Sequence, residues 1–236
     1  MLIMAKRPIY IPQRCGKLLV KTEYIEFKWY PGMAVVQKQK SIKSLHAAAV
    51  QENICKAPLE ISTKSEVELG SMLSAFNLIV TTQKYKNTFS VESAYQSSKV
   101  FENGGPFKDL LYATSREAKK DSRLRESGHL VGFNFFDENW SLEPRTAFYD
   151  WIYINALHKN EWAIDKLKNF DAFTDIEFNP DKSVNCQAYS VALYRALELR
   201  GLIKEAISDR DTYLQIVNTG AINNASENTD IQPRLI

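Results

Sequence analysis

The sequence predicts an α+β domain, helix-dominated, with a few short strands. Three observations carry that expectation. Segments 7–12 (RPIYIP) and 17–30 (KLLVKTEYIEFKWY) have the β-branched and aromatic content of strands. Later segments repeat apolar residues at helical spacing, most clearly SVNCQAYSVALYRALELRGLI at 183–203. Strands are too few and irregular for a doubly wound sheet, and there is no internal repeat.

Taken in order, Pro31-Gly32 is a turn signal that closes the second strand. Residues 33–52 then read as a helix with Val36, Ile42, Leu45 and Ala49 on its buried side. APLEIS (57–62) is a third candidate strand. Beyond it the chain turns to short helices, in SMLSAFNLI, after Ser90, in PFKDLL and in SREAKKDSRLRES, separated by Gly104-Gly105 and Gly128-His129. Leu130–Phe136 is a candidate strand. Pro144 sits near the start of a long helix carrying Phe148, Trp151, Ile152, Ile154 and Leu157. A shorter helix holds Trp162, Ile164 and Leu167, and DAFTDIEF (171–178) reads as a strand ending at Asn179-Pro180. Gly201 stops the last strong helix. Residues 1–217 are expected to form one domain, and 218–236, rich in Asn, Ser, Thr and Asp, a flexible tail.

The chain has 236 residues, 44% hydrophobic and 25% charged, ordinary values for a globular protein with a real core. Its net charge of +2 means that any attraction to nucleic acid must come from local clusters. Three cysteines and three histidines are scattered without ligand spacing, so neither a zinc site nor a disulfide framework is expected. There is no apolar run of membrane-spanning length and no convincing signal peptide, so a reduced, cytoplasmic protein is expected. Phosphate-loop, GxSxG and kinase patterns are missing, and no cofactor or metal is expected.

One segment holds an acid, an amide and a lysine at helical spacing. With Ser90 as N-cap, Val91–Phe101 is expected to be helical, with Glu92, Gln96 and Lys99 along one face. Spacing alone favours a solvated salt-bridging stripe.

The wording around it reverses that order. LSAFN (73–77), a spacer, then SVExxYQxxKxF resembles the NADAR superfamily pattern LSNF(Y)…SxExxxQxxKF, which belongs to a small helix-rich N-glycosidase fold. YDWIYINAL (149–157) resembles the family's Asp-Trp segment, and 175–197 its closing acidic segment and terminal helix. The N-terminal part (1–65), with RPIYIP and EFKWYPGMAVVQKQKSIKSLHAAA, resembles the branch that serves as antitoxins to DarT-type toxins, which ADP-ribosylate guanine in single-stranded DNA. The likeness covers roughly residues 7–205. Two positions depart from the pattern. Ala75 stands where the family has Asn, and Tyr149-Asp150-Trp151-Ile152 lacks the second Asp of a DWD.

The resemblance implies hydrolysis of the bond between ADP-ribose and guanine, with ADP-ribosylated single-stranded DNA as substrate, ADP-ribose as product and a DarT-type toxin as a possible partner. Such chemistry needs a carboxyl group to move a proton. Glu92 is the first candidate and Asp150 a second, for proton handling or ribose contact. A lysine nucleophile acting through a Schiff base is the other requirement, and it must be partly neutral. Lys40, between Lys38 and Lys43, is the expected nucleophile, although these lysines are equally suited to phosphate contacts. Phe76, Asn77, Tyr95, Gln96, Lys99, Trp151 and Glu177 are expected substrate contacts. Phe76, Tyr95, Trp29 and Trp151 are individually as easily core residues. A metabolite N-glycosidase of riboflavin-pathway type and a non-enzymatic antitoxin that binds toxin or DNA are the alternatives.

Overall fold

The structure is a computed structural model and describes residues 3–82, 87–180 and 183–219. The chain begins with β1 (Met4–Pro12), β2 (Val20–Lys28), α1 (Val35–Gln51), β3 (Pro58–Glu60) and α2 (Glu68–Met72). Then come β4 (Ile79–Thr81), β5 (Thr88–Ser90), α3 (Val91–Ser97), β6 (Lys99–Phe101) and a 3-10 turn at Lys108–Tyr112. The middle holds α4 (Ser115–Lys120), α5 (Arg123–Glu126), β7 (Leu130–Phe135), β8 (Glu138–Trp140), α6 (Ala147–His158) and α7 (Glu161–Leu167). β9 (Ala172–Thr174), α8 (Gln187–Leu199), α9 (Ile203–Ala206) and α10 (Arg210–Thr219) complete it.

Among the described residues the strands form three sheets, of which the largest has the order β2-β1-β9-β3. β1 runs antiparallel to β2 and to β9, while β3 and β9 are parallel. Alternation along these strands sends neighbouring residues into different cores. Ile9, Ile25, Phe27 and Ala172 meet Ile42, Leu45 and Ala49 of α1 on one face. Tyr10, Val20, Leu59 and Phe173 join α6 and α8 in the larger core on the other. A sheet buried on both faces makes the chain a more even α+β mixture than the helix-dominated domain the sequence suggested. Among the described residues, no helix is long and apolar enough to cross a membrane.

The loop between β1 and β2 is fastened from the far end of the chain. The Arg200 guanidinium donates to the carbonyl oxygens of Gln13 (2.8 Å), Gly16 (3.1 Å), Cys15 (3.1 Å) and Leu18. Arg200→Ala is expected to lower stability by about 2 kcal/mol, read from the urea midpoint, because it unpairs several charge-assisted bonds at once.

Local differences from expectation have identifiable causes. Val36 is exposed, because the buried stripe of α1 runs through Ser41, Ile42, Leu45 and Ala49. The expected strand over 171–178 ends at Thr174. There the Asp175 carboxylate accepts from the N–H groups of Glu177 (3.0 Å) and Phe178 (3.2 Å), bending the chain into a turn. α10 went unread, although Asp209 accepts from the Thr212 N–H (2.9 Å) as a helix-capping residue does. Tyr213 of α10 stacks on Trp140 and Trp151, with centroids 6.5 and 5.3 Å apart. Residues 220–236, most of the expected tail, lie outside the described residues.

Candidate active site

Glu92 is fixed by the way α3 begins. The Ser90 side chain accepts from the Ser93 N–H (3.0 Å), capping the helix. The N–H groups of Val91 and Glu92, left over at a helix start, donate to Leu78 (3.0 Å) and Ala75 (2.9 Å) of the preceding turn. Ala75 is held at its other end too, its N–H donating to Gln187 Oε1 (2.8 Å). Both contacts are backbone contacts, so alanine serves at the position where the family pattern has asparagine.

The helix then stops early. The hydroxyls of Ser97 (3.0 Å) and Ser98 (2.7 Å) both donate to the Ala94 carbonyl. Lys99 begins β6, paired with Phe133 of β7, so the expected helix over 91–101 ends at Ser97. Lys99 therefore reaches the acid from a strand rather than along a helical stripe.

Glu92 is 6% exposed and accepts from Gln96 Nε2 (2.9 Å). Lys119 of α4 places its ammonium 3.7 Å from Glu92 Oε1 and 5.1 Å from the centre of the Phe76 ring. Lys99 lies 4.9 Å from the Tyr95 ring centre. Burial pushes the Lys99 ammonium down to about 8; the charge of Glu92 opposes that shift and the charge of Lys119 adds to it. Behind them Tyr95 meets Tyr149 edge-on at 5.2 Å, and the Tyr95 hydroxyl accepts from Asn185 Nδ2 (2.6 Å). Burial holds the Tyr149 hydroxyl protonated, and the charges of Glu92 and Asp175 reinforce this. The result is an enclosed carboxylate faced by two lysines against an aromatic wall.

A second acidic group lies at the ends of β3 and β9. Glu60 accepts from Ser62 Oγ (2.7 Å), Thr174 Oγ1 (2.7 Å) and the Ile176 N–H (2.8 Å). His46 of α1 holds Thr174 Oγ1 at 2.8 Å, and burial lowers its imidazole to about 4, leaving it neutral. Burial, then the charge of nearby Asp175, raises Glu60; burial also raises Asp175. As pH rises above the ordinary carboxylate range, the unfolded chain gives up the Glu60 proton while the folded protein keeps it. Glu60 therefore subtracts from stability on the alkaline side of its unfolded value, until its raised folded value is passed. Glu60→Gln preserves the three contacts, with its amide donating to Thr174. It is expected to flatten the fall in urea midpoint with rising pH and to be the more stable protein at pH 7.5. Identical wild-type and variant profiles would count against a neutral Glu60.

The structure brings together Glu92, Gln96, Tyr95, Lys99 and, through Lys119, Phe76. It does not bring the other expected residues to this group. Lys40, expected as nucleophile, is exposed on α1, while the lysine that burial lowers is Lys99. Asp150 is buried on another side of α6, accepting from Ser190 Oγ (2.5 Å), and burial raises its carboxyl to about 7. Trp151 packs on Trp140, with centroids 5.6 Å apart, in the aromatic core. Asn77 is exposed and donates to the Ser71 carbonyl (2.8 Å). Glu177 is exposed beside Lys64, at 3.8 Å.

Lys119, Tyr149, Asn185, Gln187, Glu60 and Asp175 stand in or beside these two groups and were not among the expected site residues. Lys119 lies in SREAKKDSRLRES, where the sequence predicted only a short helix, and much of that run is internally paired. Arg123 binds Asp109 (2.6 Å) and Asp121 (2.9 Å), and Glu117 completes a capping box with Thr114. Asp175 carried one usable signal, an acid at the start of a segment resembling a family motif.

The structure thus brings the LSAF turn, the acid of the following helix and the lysine seven residues on into one group, the residues that carry the resemblance to the NADAR pattern. The chain belongs to the family whose model, NADAR-DarT1, is described as DarT1-associated NADAR antitoxin and matches residues 5–227. No curated protein matches the chain.

Proposed function

We propose that this antitoxin hydrolyses the N-glycosidic bond joining ADP-ribose to guanine in single-stranded DNA, undoing the modification made by a DarT-type toxin. The observation that carries this reading is the pairing of buried Glu92 with Lys99, whose amine is partly neutral near physiological pH. A glycoside on an exocyclic amine opens by breaking the ring C–O bond at its anomeric carbon, the nitrogen's electron pair forming an iminium and the ring oxygen taking up a proton to become a hydroxyl. The Lys99 amine adds to that carbon, forming a C–N bond. Glu92 passes a proton to the guanine nitrogen, which leaves as the restored amine. Water then hydrolyses the lysine imine, releasing ADP-ribose and regenerating the amine. Phe76 and Tyr95 offer ring faces to base or sugar, Gln96 orients the carboxylate, and Lys119 adds positive charge at the rim.

The test is incubation with an oligonucleotide ADP-ribosylated on guanine, following free ADP-ribose and the unmodified strand. Both products are expected in equal amounts. Rescue of cells from the toxin without ADP-ribose release would instead identify a non-enzymatic antitoxin. Turnover confined to small-molecule glycosides would identify a metabolite N-glycosidase.

A further inference from the structure

From a patch outside the Glu92 group, we infer that the outer end of the largest sheet, around Arg7, Lys28, Trp29, Tyr30 and Lys38, binds the backbone of a nucleic-acid single strand. The choice of nucleic acid rests on the function proposed above; the surface itself rests on separate observations.

Residues 27–51 contain four lysines and no aspartate or glutamate, in a chain whose net charge is only +2. Two of these lysines, Lys28 and Lys38, and Arg7 of β1 sit over the adjacent rings of Trp29 and Tyr30, while Lys43 pairs with Glu66. The Arg7 guanidinium lies 5.5 Å and the Lys38 ammonium 5.0 Å from the Trp29 ring centre, while Lys28 lies 4.9 Å from that of Tyr30. Of the nearby acids, Glu23 binds Lys21 (2.6 Å), and Glu26 stands opposite Lys6 in the strand register. Among the described residues, Arg7, Lys28 and Lys38 make no ion pair.

Apolar side chains are exposed beside these cations. Met33 is 94% exposed and Val36 60%, and the Trp29 N–H pairs with Ile3, itself 45% exposed. Cations set among rings and open apolar surface match a strand whose phosphates and base faces alternate. An acidic protein surface would meet the charges and leave Met33 and the rings without matching partners.

The patch and the second acidic group are joined by one helix. Lys38 and His46 are both on α1, eight residues apart, or about 12 Å along the helix axis. His46 touches Thr174 beside Glu60 and Asp175; Gln187, which bonds Asp175, also holds Ala75 under Glu92.

The experiment uses the full chain, a fluorescein-labelled unmodified DNA strand, and the double variants Lys28→Gln/Lys38→Gln and Lys28→Arg/Lys38→Arg. Fluorescence anisotropy is measured across a salt series. The glutamine pair is expected to weaken binding at least about fivefold and to reduce the salt slope by about 1.4, with the arginine pair near wild type. ADP-ribosylated guanosine should be hydrolysed equally by all three proteins, and the modified strand more slowly by the glutamine pair. Unchanged DNA affinity in the glutamine pair overturns the assignment, as does loss of toxin binding with DNA binding intact. If no protein hydrolyses either substrate, the function proposed above fails while the anisotropy result still decides this surface.

Discussion

Replacing Glu92 with glutamine is expected to slow release of ADP-ribose by about a hundredfold to ten-thousandfold, the usual contribution of a positioned proton donor or acceptor. The substitution is conservative where the fold is concerned. Glutamine keeps an oxygen to accept from Gln96, and the bond to Ala75 is made by backbone and stays. The ion pair to Lys119 is lost, but that lysine is more than half exposed, so the loss is at most about 1 kcal/mol. Melting and DNA affinity should therefore stay near wild type while turnover falls. Turnover within a few-fold of wild type would remove Glu92 from the chemistry.

Borohydride added during turnover is expected to trap ADP-ribose on Lys99, located by peptide mass spectrometry. With its ammonium lowered to about 8, about one Lys99 amine in ten is neutral at pH 7, against about one in a few thousand for a solvated lysine. The rate of the trapped step should climb with pH and level off above about 8. Lys99→Met should abolish both trapping and turnover, and Lys99→Arg should not restore them. A stability measurement reports on the same lysine without any substrate. Between about 8 and its unfolded value, Lys99 is protonated in the unfolded chain and neutral in the folded one, so wild-type stability gains from rising pH there. Lys99→Met should remove that gain. An adduct on Lys40 would return the nucleophile to the exposed face of α1.

Much of this was legible in the sequence because it depends on local chemistry. Ser90 and Glu92 mark a helix start whose capping geometry involves residues three apart, and the β-branched runs at 7–12 and 17–30 pair with each other directly. The strand containing Lys99 was not legible, since it depends on Phe133 offering a pairing partner and on two serines drawing off one carbonyl. Choosing between Lys40 and Lys99 required burial, which comes from elements distant in sequence. Lys40 has charged neighbours in the chain, but Lys99 has the enclosed surroundings. Asp175 and Glu177 are two residues apart, and only the turn closed by Asp175 shows which one faces inward.

The order of β2-β1-β9-β3 also bears on how the protein is made. β1 leaves the ribosome first, yet its partner on the interior side is β9, at Ala172–Thr174. The clamp on the β1–β2 loop comes later still, from Arg200. The N-terminal part cannot be completed as a unit during synthesis; it waits for most of the chain. Grafting residues 1–65 onto a relative would transfer the β1–β2 hairpin, α1 and β3 without β9, the strand that lies between β1 and β3. Whatever residues 1–65 contribute, they contribute together with the distant segment that closes the sheet.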